Sequence, residues 1–202
     1  MQSEVCLIND FPWGRPEVYP TACAHISFIQ EGIFVHLYAE EQFIRATVTE
    51  DNGPVYKDSC LEFFFCPLPG VLDSYFNFEV NPLGALYVGF SSKGTREDSK
   101  PIDYSEFKEI IGVKVNRKEN SWDVSYKVPY KLIQRYIPEF SSSEHGCISA
   151  NFYKCGDETK YPHFAVWNHI DSQVVTKPDF HVVKYFKIIK LTKNIISRMT
   201  IF

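Results

Sequence analysis

Glu62 and Glu79 are the residues with most chemistry to offer. Each lies in a segment of alternating character, Cys60-Leu61-Glu62-Phe63-Phe64-Phe65 and Tyr75-Phe76-Asn77-Phe78-Glu79-Val80-Asn81. A period of two sends successive side chains to opposite sides of a sheet. Leu61, Phe63 and Phe65 therefore share an apolar face, as do Phe76, Phe78 and Val80. Glu62 points away from that face, and Asn77, Glu79 and Asn81 line the opposite side of the second strand. Two carboxylates on paired strands can serve as acid and base in glycoside hydrolysis. They can equally grip hydroxyl groups, and the amides beside them favour this use. Tyr56 precedes the first strand, where its ring can overhang the polar face. A sugar stacks its C–H face on such a ring while its hydroxyls bond to carboxylates and amides, which then discriminate hydroxyl patterns. Arg96, in the polar loop from Ser91 to Tyr104, adds a cation, and Tyr153 and Trp167 stand near strand ends as further rings.

Other chemistries find less support. His163, His169 and His181 have spacings of six and twelve, without an H-E-x-x-H or a thiolate partner, so no metal ligands are assigned. His181, within Pro178-Asp179-Phe180-His181, reads as a hydrogen bonder that locks a loop. There is no G-x-S-x-G, no Walker loop and no G-x-G-x-x-G. No catalytic residue is assigned. The formal net charge of −4 and the absence of any basic run beyond two residues argue against nucleic acid as a partner. Met1 to Cys6 has no basic start and no long apolar run, so neither a signal peptide nor a membrane span is expected. Six cysteines show no C-x-x-C pair. Cys60 and Cys66 share the face of Glu62 about 20 Å apart, a poor disulfide pair. Reduced thiols in a cytoplasm are the reading, with secretion left open.

These residues need strands to hold them. The chain of 202 residues is 45% apolar and 16% aromatic, enough for a sizeable core and suited to pleated surfaces. No repeat or linker divides it, so residues 1–202 read as one domain. Ala24–Ile29 and Ile33–Ala39 form a hairpin about Glu31-Gly32, and Phe43–Thr49 follows as a strand before the turn Asp51-Asn52-Gly53-Pro54. After Cys60–Cys66 and Tyr75–Asn81 come Ala85–Phe90, Phe107–Val115, Trp122–Val128, Cys147–Tyr153 and Tyr185–Leu191 as strands. Pro129 to Tyr136 is the one short helix, with Pro at its start, and Ser141–Ser143 is a loop. The pattern predicts an all-β fold, an antiparallel β-sandwich of immunoglobulin-like or jelly-roll type with one short helix.

The order of these segments resembles the family 9 carbohydrate-binding modules, in their bacterial, stand-alone branch. Tyr56-x-Asp58-Ser59-x-Leu61-Glu62-Phe63-Phe64 is similar to the family's signature of an aromatic, Asp-Ser and Glu, where the aromatic is usually Trp one residue further from the Asp. Phe76–Asn81, Gly32–Ala39, Ala150–Tyr153 and the stretch from Trp167 through Pro178-Asp179-Phe180-His181 to Tyr185-Phe186 resemble other segments. The likeness runs from about residue 25 to 191. It implies a β-sandwich that binds a mono- or oligosaccharide without cleaving it, its terminal sugar held between two aromatic plates. Tyr56 matches the first plate and Glu62 a polar partner, while Glu79 stands where better-known modules carry a basic residue. The second plate is expected after Trp167, yet Asp171–Thr176 holds no ring, which leaves the clamp either one-sided or completed by Trp13, Tyr153 or Tyr161. The family can hold structural calcium, although no D-x-D-x-D loop is present here. The reading is thus a non-catalytic carbohydrate-binding domain using Tyr56, Glu62, Asn77, Glu79, Asn81, Arg96, Tyr153 and Trp167. The alternatives are a glycoside hydrolase using Glu62 and Glu79, or a protein-interaction sandwich. The oligomeric state is not legible.

Overall fold

A computed structural model describes residues 5–141 and 146–190. Its strands are β1 (Cys6–Ile8), β2 (Thr21–Ile29), β3 (Gly32–Glu40), β4 (Cys60–Cys66), β5 (Tyr75–Val80), β6 (Leu86–Ser91), β7 (Lys100–Pro101), β8 (Lys114–Arg117), β9 (Ser121–Pro129), β10 (Cys147–Cys155), β11 (Phe164–Val166) and β12 (Lys187–Lys190). Two short helices, α1 (Lys108–Ile111) and α2 (Tyr130–Tyr136), complete the list. One sheet has the order β1-β2-β3-β9-β8. The other runs β11-β10-β4-β5-β6-β7, with β12 also paired to β10. Every pairing is antiparallel. The result is the expected antiparallel β-sandwich. Among the described residues, no helix is long and apolar enough to cross a membrane.

The alternation in the sequence builds the core between the sheets. Ile33, Val35, Leu37 and Ala39 from β3, with Trp122, Val124, Tyr126 and Val128 from β9, face Leu61, Phe63 and Phe65 from β4 and Phe76, Phe78 and Val80 from β5. Phe63 stacks between Phe65 and Phe152, with ring centroids 4.9 and 5.1 Å away. Each such side chain contributes about 1.5–3 kcal/mol by leaving water. The opposite face of the second sheet is also covered. Cys60, Phe64, Cys66, Tyr75, Tyr153 and Cys155 form a second apolar cluster with Val55, Val166, Ile170, Phe180 and Phe186. All of β4 and all of β5 are consequently buried, which a half-solvated strand would not be.

Three expected elements differ. The predicted strand Phe43–Thr49 is irregular chain, because side chains take the backbone groups that a ladder would use. The amides of Thr47 and Val48 donate to Asp58 Oδ2 at 2.7 and 2.8 Å, and the Arg45 amide donates to Ser59 Oγ at 3.0 Å. Phe107–Val115 starts as a helical turn rather than a strand. Phe107 and Ile111 are both buried at a helical spacing of four, and Gly112 ends α1 with φ of 55°, a left-handed cap that favours glycine. Tyr185–Leu191 becomes a 3-10 turn over Val183–Tyr185 followed by β12, and Leu191 lies outside the described residues, as do Ser142 and Ser143.

A buried polar network joins the sheets near one end. Glu41 accepts from Trp122 Nε1 at 2.8 Å through Oε1 and from Ser59 Oγ at 2.9 Å through Oε2. Lys154 Nζ, fully buried, lies 3.2 Å from Glu41 Oε2 and donates to the Cys155 carbonyl and to His163 Nε2, at 2.9 and 2.8 Å. His163 is therefore the tautomer whose Nδ1–H donates to the Tyr161 carbonyl, at 2.8 Å. Burial, reinforced by the Lys154 cation, pushes its pKa down to about 4.

The pH dependence follows. Between the ordinary histidine value of about 6.5 and that depressed value, the unfolded chain takes up a proton that the folded one refuses. Stability should fall as pH drops through this window, by up to about 1.4 kcal/mol per pH unit from this group. His163→Gln keeps an acceptor for Lys154 and removes the titration. Urea unfolding across the window should show a steeper loss for the wild type than for the variant.

Candidate functional site

Strand register assembles the site in two lateral rows on the face of the second sheet away from the main core. Across β10, β4, β5 and β6, Tyr153 pairs with Glu62, Glu62 with Glu79, and Glu79 with Tyr87. One row along, Asn151 pairs with Phe64, Phe64 with Asn77, and Asn77 with Gly89. Over these rows lies a cavity of about 460 Å³ whose lining includes Tyr56, Glu62, Asn77, Glu79, Tyr87 and Arg96. Asp157, Ser99, Phe164, Phe180 and His181 complete much of its wall. Its size falls in the ~300–1,000 Å³ range of small-ligand sites.

Loops carry the rim. Tyr56 sits in a 3-10 turn, Val55–Lys57, and is 43% exposed, a high value for a large ring and consistent with a surface free to stack. Its carbonyl accepts from the Asp157 amide at 3.3 Å, which ties the turn to the loop after β10. Asp58 anchors the next residue. Its carboxylate accepts from the Thr47 and Val48 amides, from Thr47 Oγ1 at 2.8 Å and from Asn81 Nδ2 at 2.9 Å. On the opposite wall, Phe180 stacks flat on Tyr153, with centroids 4.1 Å apart and planes 6° from parallel. His181 Nδ1–H donates to Tyr75 Oη at 2.7 Å, and that hydroxyl donates to the Thr95 carbonyl at 3.2 Å. His181 thus locks its loop to β5, and burial lowers its pKa to about 4, with the Arg96 cation adding to the effect.

The charged groups are crowded. Glu62 is 2% exposed and Glu79 6%, on directly paired positions. Burial pushes the Glu62 pKa well up, and the neighbouring Cys155 and Glu79 push it further. Burial raises Glu79 to about 7, opposed by the Asn77 amide and the Arg96 cation. Two adjacent buried carboxylates resist ionising together, so each makes the other harder to charge. Asn77 Nδ2 donates to Glu79 Oε1 at 2.9 Å, and Asn77 Oδ1 accepts from Ser99 Oγ at 3.2 Å. Arg96 Nη1 is fixed by Asp179 Oδ1 at 3.1 Å. The cavity therefore offers two carboxyl groups, an amide, a guanidinium and several rings within one small volume.

Of the residues singled out from the sequence, Tyr56, Glu62, Asn77, Glu79 and Arg96 line this cavity together. Asn81 is spent elsewhere. Its Nδ2 donates to Asp58 and to the Val48 carbonyl at 2.7 Å, and its Oδ1 accepts from the amides of Leu83 and Ala85 at 3.1 and 3.0 Å. Tyr153 is fully buried beneath Phe180, with its hydroxyl donating to the Phe180 carbonyl. Trp167 packs on the other face of the sheet, its ring 5.4 Å from Phe152 in the main core. Trp13 donates to the Val175 carbonyl and leans on Phe180, while Tyr161 lies against Phe43, so neither reaches the cavity wall. The rings that do line it include Tyr87, Phe164 and Phe180. The sequence did not single out Tyr87, which joins the site only when β6 pairs with β5 and places it directly beside Glu79.

Among the described residues, one cluster of three Cys, His, Asp or Glu ligand atoms is close enough to hold an ion. Cys60, Glu62 and Cys155 lie within 4.8 Å of one another. Two of the three donors are thiols, which suits calcium poorly, since calcium takes oxygen ligands. The sequence reading had assigned no metal ligands on the spacings of its histidines; Cys60 and Cys155 meet only when β4 pairs with β10.

The sequence profile described as carbohydrate-binding family 9 matches residues 1–191. No curated protein matches the sequence. Among solved structures, a protein from Bacteroides uniformis to which carbohydrate binding has been ascribed is similar with a TM-score of 0.76 and 26% identity. That alignment covers 93% of this chain and 86% of the other. A family 9 module from Caldicellulosiruptor kristjanssonii, solved in complex with cellotriose, has a TM-score of 0.61 at 9% identity, covering 98% and 88%. The same organism's module in complex with glucose gives 0.61 at 10% identity, covering 96% and 88%. At such identities the likeness to these modules is one of fold.

Gly89 gives this geometry a direct test. A Cβ there would sit 2.3 Å from Asn77 Oδ1 and 2.9 Å from its Cγ and Nδ2, too close for any contact. Gly89→Ala should therefore turn the Asn77 amide away from Glu79. Since that amide holds the Glu79 pKa down, the titration of Glu79, followed by carboxyl-carbon NMR, should move further up in the variant.

Proposed function

Because the chain belongs to carbohydrate-binding family 9, we propose that it binds a mono- or oligosaccharide in this cavity and does not cleave it. One observation carries the reading. The lateral row Glu62–Glu79–Tyr87, with Asn77 beside it, puts hydroxyl-binding groups next to the half-exposed Tyr87 ring, in the same cavity as the exposed Tyr56 ring. Tyr56 is the stacking plate. Tyr87 supplies a second ring from the sheet itself, in place of the plate missing after Trp167. Glu79, Glu62, Asn77 and Arg96 bond the hydroxyls, with Ser99 and Asp157 at the margin. Asn81, Tyr153 and Trp167 serve the site by holding its turns, its wall and its sheet.

Hydrolysis is the weaker reading for a geometric reason. A glycosidase sets its two carboxyls on either side of the scissile bond. Here Glu62 and Glu79 stand side by side on one sheet face, sharing a register position and neighbouring polar groups. A ligand above them meets both from the same side. Such a pair discriminates hydroxyl patterns, because a buried polar group left without its partner costs about 1–3 kcal/mol.

Family 9 modules solved with glucose and with cellotriose make these the first ligands to try. Calorimetric titration of the folded protein with glucose and cello-oligosaccharides should give saturable heat. Tyr56→Ala should weaken binding by about tenfold or more, ~1.4 kcal/mol. Asn77→Ala should weaken it by ~1.5–3 kcal/mol, the range for hydrogen bonds involving charged partners. No new reducing ends should appear on prolonged incubation. Absence of saturable heat with every mono- and oligosaccharide tried, or an unchanged affinity in Tyr56→Ala, would overturn the reading.

A further inference from the structure

We propose that Cys60, Cys155 and Glu62 form a binding site for a zinc-class divalent cation in the floor of the cavity, with its open coordination position facing the ligand. Strand pairing makes the cluster. Cys155 on β10 is the register partner of Cys60 on β4, and Glu62 is two residues further along β4 on the same face. All three are buried, at 0%, 1% and 2% exposure for Cys60, Cys155 and Glu62. Their ligand atoms lie within 4.8 Å of one another, and Cys155 Sγ already donates to Glu62 Oε1 at 2.9 Å. A tetrahedral zinc ion, with Zn–S of about 2.3 Å and Zn–O of about 2.1 Å, needs edges of ~3.5–3.8 Å. The ligand atoms, 2.9 Å apart for Cys155 and Glu62 and within 4.8 Å throughout, bracket those edges. Glu62 and Cys155 line the cavity while Cys60 stands behind them, so an ion held by the three has its fourth position towards the cavity space. Three protein ligands and one open position are the usual arrangement for zinc that meets an external ligand.

The donor set selects the ion. Two thiolates and one carboxylate favour zinc or another borderline-soft cation over calcium or magnesium. Binding displaces the protons of both thiols, and that of Glu62 where it is present, to solvent. The hydrogen bond from Cys155 to Glu62 is then replaced by two bonds to the ion. Without a cation the thiols stay protonated, since burial pushes Cys60 up to about 12 and Cys155 well above the ordinary value. The loaded cluster carries one net negative charge, and the Arg96 guanidinium lines the same cavity. The inference goes beyond sugar binding and can fail independently of it.

The test uses the full chain, reduced and stripped with a chelator, without sugar. Titration with cobalt(II) should give one equivalent of binding with intense thiolate-to-cobalt charge-transfer absorption, bleached by stoichiometric zinc. Proton release should accompany zinc binding. The absorption should vanish in Cys60→Ser and in Cys155→Ala and persist in Cys66→Ala, whose thiol lies outside the cluster. If either cluster variant fails to fold, the wild-type spectrum and Glu62→Gln, which removes the carboxylate ligand, decide the matter. A folded wild type without thiolate charge transfer, or absorption surviving in Cys60→Ser/Cys155→Ala, overturns the site. Sugar titrations of the stripped protein, run separately, report on the carbohydrate reading whatever the cobalt result.

Discussion

The carboxylate of Asp58 is the constraint on which the site depends. It is fully buried and accepts from two backbone amides, one hydroxyl and one side-chain amide. Arg45 Nε, 3.4 Å from Oδ1, supplies a countercharge. Those hydrogen bonds hold the Asp58 pKa down against burial, so the group stays ionised where it is needed. The bonds also join three pieces of chain: the irregular segment before the Tyr56 turn, the turn itself and the β5–β6 connection through Asn81. Tyr56 is two residues before Asp58, Glu62 four residues after it, and Glu79 two before Asn81. One carboxylate therefore sets where the ring, both acidic side chains and the neighbouring strand stand relative to each other. The adjacent Ser59 extends the arrangement to Glu41, and through it to Trp122 and Lys154 in the two sheets.

The strands that hold the site were legible because their period of two was complete. Cys60–Cys66 appears with the expected bounds, and Leu61, Phe63 and Phe65 face the main core as the alternation requires. The β2–β3 hairpin was readable for the same reason, although its turn falls at Gln30-Glu31 rather than at the expected Glu31-Gly32. What misled was chain whose backbone is satisfied by distant side chains. Phe43–Thr49 has strand-like composition, yet Asp58 and Ser59 claim its amides. Phe107–Val115 has alternating apolar residues as well as a helical spacing, and Gly112 decides between them only once the chain has packed. Tyr87 was hidden by a different cause. It belongs to the site through its cross-strand neighbour, a relation that exists only when register is known. Asn81 shows the converse, a residue of the right type in the right pattern whose four hydrogen bonds go to its own turn and to the Asp58 and Val48 anchor.

A sandwich usually leaves the outer face of each sheet to solvent. Here the second sheet is covered on both sides, and the second cover is what turns a flat polar row into a cavity. Phe180, Ile170 and Phe186 lie over Phe64, Tyr75 and Tyr153, and the uncovered remainder of the face is where Glu62, Asn77 and Glu79 stand. Burial in the cavity floor also shapes the electrostatics, since it raises the pKa of both Glu62 and Glu79.

The floor and the wall of this cavity are built from different kinds of material. The floor is a register-locked ladder in which moving one side chain means moving a strand, so its polar pattern changes only with the fold. The wall comes from the segments around Tyr56, Arg96, Asp157 and Phe180, loops that meet the sheet through a few hydrogen bonds and one stacked ring. Substitutions or insertions there can reshape the opening while the carboxyl pair stays fixed. Such an architecture separates the ability to recognise a class of ligand from the choice among its members. Related chains can diverge in preference along their loops while inheriting one common floor.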